Sequence, residues 1–245
     1  MKAFGMTDIG KRRAVNQDNI FISATPVGNL PNLFVVADGM GGHKAGDCAS
    51  RYATDAVVES IKSNEDTHVV SILTKAVNDA NSLVFKNSME NEDLKGMGTT
   101  LVIATVVDNE LITANVGDSR LYLIREDSIT QITEDHSLVA EMVRMGQIDK
   151  QEARKRPDKN IITRAIGIYD HISADFFKNK LRSGDHVLLC SDGLSNMLED
   201  SEILMMVKDK EEPDKKASRL INLANNKGGK DNISVIIIEP ETDEV

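Results

Sequence analysis

At 245 residues, with 40% hydrophobic and 28% charged side chains, the chain can bury a full core as one large domain or two small ones. Asp plus Glu number 39 and Lys plus Arg 29, a formal charge of −10 that excludes the basic footprint of a nucleic-acid binder. No run approaches membrane-spanning length and the first residues lack a signal peptide's apolar stretch, so a cytoplasmic protein with no membrane partner is expected, Cys48 and Cys190 remaining thiols.

In chain order, Ala3 to Ile22 holds the polar, turn-forming Arg12-Arg13-Ala14-Val15-Asn16-Gln17-Asp18-Asn19 between two strand-like runs. Leu33-Phe34-Val35-Val36-Ala37 then reads as a buried strand, closed by the turn Asp38-Gly39-Met40-Gly41-Gly42, where glycines let backbone approach an ion or phosphate. Ala49, Tyr52, Ala53, Ala56 and Val57 have helical spacing within Ala45 to Ser63, as do Val69, Ile72, Ala76, Ala80, Leu83 and Val84 within Thr67 to Met89. Gly98 to Val107 and Leu111 to Val116 predict a hairpin turning at Asp108-Asn109-Glu110 and ending in Gly117-Asp118. A second hairpin spans Leu121 to Ile132.

Ser137 to Lys155 reads as one charged helix running into the basic cluster Arg154-Lys155-Arg156, and most such clusters are solvated faces. His186 to Cys190 is another apolar strand closing on Ser191-Asp192-Gly193. A helix carrying Ala217, Leu220, Ile221 and Ala224 leads to Gly229-Lys230-Asp231-Asn232 and a last strand, Ile233 to Ile238. The acidic stretch from Glu239 to Val245 is expected to be disordered, with the domain proper ending at residue 240. Helices fall in pairs and strands in hairpin runs, which predicts a single α+β domain, 1–240, of antiparallel sheets covered by helices.

Asp38, Asp118, Asp192 and Asp231 each lie where an apolar strand meets a glycine-containing turn, so stacked sheets would gather them at one rim. Such a cluster repels itself unless a divalent metal resolves it. Oxygen-only donors suit Mg²⁺ or Mn²⁺ rather than Zn²⁺ or Cu²⁺. Carboxylates bridging two such ions hold them about 3.5–4 Å apart, the spacing used to activate water and clamp phosphate oxygens.

Eight segments taken in order resemble the motifs of bacterial protein phosphatase 2C-type enzymes. They are Arg13-x-x-Asn16-Gln17-Asp18, Val36 to His43, Gly98-Thr99-Thr100, Ala114 to Arg120, Asp135-His136-Ser137, Thr163 to Gly167, Ser191 to Leu194 and Gly229 to Asn232. The resemblance implies an α-β-β-α sandwich with a flap at about 138–162, near which Arg154, Lys155 and Arg156 are a candidate surface for recruiting phosphorylated protein. It also implies metal-dependent hydrolysis of phosphoserine and phosphothreonine in proteins by a hydroxide bridging two Mn²⁺ or Mg²⁺ ions. By the same resemblance Asp38 bridges both ions, the Gly39 carbonyl serves the first, and Asp192 and Asp231 serve the second, while Asp118 with Asp192 offers a third, weaker site. Arg13 grips the phosphate and Asp18 holds metal-bound water. The implied partners are phosphorylated proteins, a serine/threonine kinase and its substrates, and the chain is expected to be a monomer. Animal members carry His where Met40 stands, which leaves a metal-bound water, ahead of His43, as proton donor to the leaving group.

Other readings fare worse. An aspartyl-phosphate phosphatase needs a second Asp at the Met40 position, and a Walker-type loop needs Ser or Thr where Asp231 follows Lys230. A triad drawn from Asp135-His136-Ser137 fails because adjacent side chains on extended backbone point apart. The rival of another class is a pseudophosphatase scaffold with the fold and no turnover, but such proteins lose acidic ligands and none is missing here.

Overall fold

The computed structural model describes residues 1–42 and 45–241. Strands β1 (Lys2–Asp8), β7 (Arg120–Arg125), β8 (Ser128–Gln131), β10 (His186–Cys190) and β11 (Ile233–Glu239) make one antiparallel sheet, ordered β1-β11-β10-β7-β8. The other sheet is β2 (Asp18–Ser23), β3 (Leu33–Met40), β5 (Leu101–Val107), β6 (Glu110–Val116) and β9 (Asp175–Lys180) in that order, with the short β4 (Gly98–Thr99) pairing β3. Helices α1 (Ala45–Lys62) and α2 (Val69–Glu90) cover the second sheet, while α5 (Asp192–Ser195), α6 (Asp200–Val207) and α7 (Pro213–Asn226) belong to the first.

The period-two alternation of the strands sorts these layers. On β3, Leu33, Val35 and Ala37 pack under α1 and α2, while Phe34 and Val36 point between the sheets. On β10, Leu188 and Cys190 face the helices and Val187 and Leu189 the middle layer, where Ile236 and Ile238 of β11 meet them. Each fully buried Val, Leu, Ile or Phe among them contributes about 1.5–3 kcal/mol. The result is the α-β-β-α sandwich expected of the sequence. The first hairpin turns through Asp108 and Asn109, both at positive φ, which matches the strands' twist.

Three expectations change. The charged stretch after Ser137 is two helices, α3 (Leu138–Arg144) and α4 (Lys150–Lys155), because Gly146 turns left-handed (φ 69°) and Asp149 starts a new helix by accepting from Glu152 N at 2.7 Å. Asp38 does not sit in a turn: β3 continues through Gly39 and Met40, paired with Thr99 and Gly98. Glu239 is the last residue of β11, not tail, and Glu241 pairs with the amino terminus at 2.6 Å. The remainder of the expected tail, 242–245, lies outside the described residues, as does His43. Strand β9 and helix α6 complete the sheets and layers without having been foreseen.

Candidate active site

The middle layer ends in acid. Along β2 the inward series is Ile22, Ile20, then Asp18, and along β3 it is Phe34, Val36, then Asp38. The same alternation that buries the core therefore delivers two carboxylates between the sheets, and the β2–β3 register sets them directly opposite each other. Like charges so placed destabilise a strand pair. From the other sheet, Asp192 opens α5 just past β10, and Asp231 stands just before β11. Asp118 follows β6, on a loop fixed by the Ser119 to Thr100 hydroxyl contact at 2.7 Å.

These groups sense one another. Burial, with Asp18, Asp192, Asp118 and Asp231 facing it, pushes the Asp38 carboxyl well above the usual range. Burial likewise pushes Asp18 up to about 7, against hydrogen bonds from Ser191 and Ser234. Asp192 rises to about 6 through burial and Asp231. Asp118 rises through burial and then Asp192. Asp18 Oδ1 and Asp192 Oδ1 are buried acceptors with no hydrogen-bond partner in the protein. Among the described residues no three His, Cys, Asp or Glu side chains converge as one ion's ligands. Instead Asp231 is turned to Arg13, whose Nη2 lies 2.7 Å from Oδ2, and its Oδ1 accepts from Asn232 N at 2.9 Å.

Tight backbone contacts hold the rim. A side chain at Gly39 would strike the carbonyl oxygens of Gly46 and Gln17, and one at Gly193 would strike Asn232 O, so α5 abuts the Asp231 loop only with glycine there. Asn232, 3% exposed, accepts from Gln17 N and donates to Ile9 O and Val15 O, fastening the Arg13 loop to Asp231. Ser191 Oγ donates to Asp18 Oδ2 at 2.7 Å while accepting from Ser234 N, so one hydroxyl ties the two sheets at the rim. Asn196 Nδ2 donates to Asp192 Oδ2 and its Oδ1 accepts from Lys159 Nζ, both at 2.8 Å, linking the stretch after α4 to the rim. These helpers were missed as site residues. Ser191 and Asn232 were legible only as motif neighbours of Asp192 and Asp231, while Asn196 and Lys159 carry no sequence signal.

The structure brings Asp18, Asp38, Asp118, Asp192 and Asp231 to one rim with Gly39 and Arg13. Within the basic cluster, Lys155 is exposed while its two arginines are engaged. Arg154 donates to Ser195 O and Leu198 O and pairs with Glu199, and Arg156 chelates Asp158.

Two stacked antiparallel sheets between helical layers, with an anionic centre at their open end, define the class. The chain belongs to the protein phosphatase 2C family, which it matches over residues 3–233. It is 40% identical over 243 residues to serine/threonine phosphatase stp of Listeria innocua, covering 98% of this chain and 96% of that one. The serine/threonine phosphatase of S. agalactiae superposes with a TM-score of 0.91 at 35% identity, over 98% of this chain and 99% of its own. The catalytic domain of the phosphatase PstP, solved in complex with two manganese ions, superposes at 0.85 with 34% identity over 96% of each chain.

Proposed function

We propose that this chain hydrolyses phosphoserine and phosphothreonine in proteins at the acidic rim, with Mn²⁺ or Mg²⁺ as cofactor. The observation that carries this reading is the pair of buried, unpartnered carboxylate oxygens, Asp18 Oδ1 and Asp192 Oδ1, beside Asp38. An all-oxygen donor set of this kind fits a hard divalent cation. Asp38, the Gly39 carbonyl, Asp192 and Asp231 would hold two ions, and Asp118 with Asp192 a third, weakly. Holding them requires Asp231 to exchange Arg13 for an ion. When bound, such ions acidify a water and neutralise phosphate oxygens, the terms that dominate a reaction this slow in water.

The chain's own residues do the rest. Arg13, half exposed and released from Asp231, offers a planar fork to two phosphate oxygens. Asp18, anchored by Ser191 through Oδ2, would use its unpartnered Oδ1 to accept from and orient a water at the rim. Met40 can move no proton, so the leaving oxygen takes its proton from water at the site. The 138–162 segment is the flap over this rim, part of a single domain spanning 1–240. The chain acts as a monomer on proteins phosphorylated by a serine/threonine kinase, in the cytoplasm.

The test is turnover of p-nitrophenyl phosphate and a phosphothreonine peptide with Mn²⁺, with and without chelator, in wild type and Asp38→Ala. Chelator-sensitive turnover lost in the variant is expected. Mn²⁺ binding without turnover in wild type would leave the pseudophosphatase scaffold.

A further inference from the structure

The two sides of the acidic rim differ in chemistry. Beyond Asp118 and Asp192 lies a cleft of about 420 Å³ whose wall mixes the charged Glu134, Arg144 and Lys150 with the apolar Val139, Val143 and Ala153. Beyond Asp38 the chain runs directly through Gly39 to Met40, and the surface turns apolar. Met40 and Ile168 converge over Gly98, where a Cβ would come within 2.7 Å of Met40 Cε and 2.9 Å of Ile168 Cδ1. Ile168 is 36% exposed and the adjacent Tyr169 64%.

This apolar shoulder is held in place. Asn81 of α2, 1% exposed, accepts from Gly167 N at 2.8 Å and donates to Tyr169 O at 2.9 Å and Asp170 O at 3.2 Å. Ile166 exchanges both backbone hydrogen bonds with Thr99, at 3.1 and 2.9 Å, and Gly167 at φ 86° packs on Val84. A buried amide thus fixes the backbone beneath two water-exposed apolar side chains. Left in water, those side chains gain nothing from being fixed, whereas preorganisation favours a partner that would otherwise have to order them.

We propose that Ile168 and Tyr169, with Met40, form a subsite for an apolar side chain of the substrate protein flanking its phosphorylated residue. The occupant follows from continuity. Asp38, Gly39 and Met40 are consecutive on one strand, so a phosphate at the rim places the peptide's neighbouring residue against this shoulder. The cleft on the opposite side mixes apolar with charged residues, so a side chain entering it meets ions that the shoulder lacks. The inference rests on the phosphatase reading of the rim, and it makes substrate choice depend on residues that p-nitrophenyl phosphate never touches.

The experiment compares kcat/KM, with Mn²⁺, on p-nitrophenyl phosphate and on phosphothreonine peptides carrying Leu or Ser on each side of the phosphoresidue. Wild type is expected to favour Leu on one side by about tenfold. Ile168→Ser combined with Tyr169→Ser should abolish that preference while leaving p-nitrophenyl phosphate turnover per folded molecule unchanged. Normal p-nitrophenyl phosphate turnover with no preference in wild type, or with a preference the double variant keeps, overturns this inference alone. Absence of p-nitrophenyl phosphate turnover in wild type overturns the phosphatase reading and this one with it.

Discussion

Strands β10 and β11 carry a charged cluster at each end, and the two are built in opposite ways. At the His186 end, Lys216 of α7 is 1% exposed and its Nζ lies 2.6 Å from Glu239 Oε1 and 3.1 Å from His186 Nε2. Cation, carboxylate and imidazole meet there in a satisfied set. At the Asp192 end, carboxylates face carboxylates, Asp18 and Asp38 stand opposite across a strand pair, and two buried oxygens have no partner. The first cluster fastens α7 to the sheet. The second is compensated only in part, by Arg13 at Asp231, and that shortfall is the basis for proposing a ligand of opposite charge there.

Mutation should separate the two ends, most strongly at the rim. Asp38→Asn is expected to lower Mn²⁺-dependent kcat/KM by at least about a thousandfold, roughly 4 kcal/mol, yet to raise the melting temperature in chelator because a facing charge is gone. A variant that melts lower in chelator would make the rim a fastening like its counterpart. Lys216→Ala should do the reverse. Urea unfolding is expected to show a loss of about 2–3 kcal/mol, below the full figure for a buried pair because Glu239 is partly exposed, with kcat per folded molecule intact. Arg13→Lys sharpens the assignment within the rim. It should reduce kcat/KM about ten- to thirtyfold on a phosphothreonine peptide without raising the Mn²⁺ concentration needed for half-maximal activity.

The smallest effect is in pH, where the ends should slope oppositely. Asp18 and Asp192 have folded pKa values raised to about 7 and about 6, so the metal-free protein binds extra protons when folded. Their contribution to stability is full below the ordinary carboxylate range and is lost as pH rises through about 6 to 7. His186 is held below its usual range by burial and by Lys216, so its contribution is present above that range and is lost as pH falls below it. Melting curves in chelator for Asp18→Asn and His186→Gln test this. The first should flatten the loss at rising pH and the second the loss at falling pH; identical profiles for both variants and wild type would refute it.

The layers were legible where apolar alternation was strong. Leu33 to Ala37, Leu101 to Val107 and Ile233 to Ile238 announce strands, and the three-four spacing announces α1 and α2. Strand β9 was not, since Asp-Phe-Phe-Lys-Asn-Lys lacks an apolar run and becomes a strand by pairing with β6 at the sheet's edge. The break between α3 and α4 was legible in Gly146 and Asp149, and was overridden by the charge pattern around them. For the basic cluster, sequence showed charge but not the carbonyls of Ser195 and Leu198 that occupy Arg154.

By itself the sequence determined which carboxylates are candidates for the chemistry, because acids at strand ends beside glycine are a local pattern, and it determined antiparallel sheets covered by helices, because periodicity is local too, while the sandwich came from the resemblance of its motifs. Only the tertiary structure decided that Asp18 faces Asp38, that Ser191 bridges the sheets, and that Met40 meets Ile168 over Gly98. Those are contacts between residues distant in the chain, set by strand register and sheet stacking, and no local pattern encodes a distance across the core.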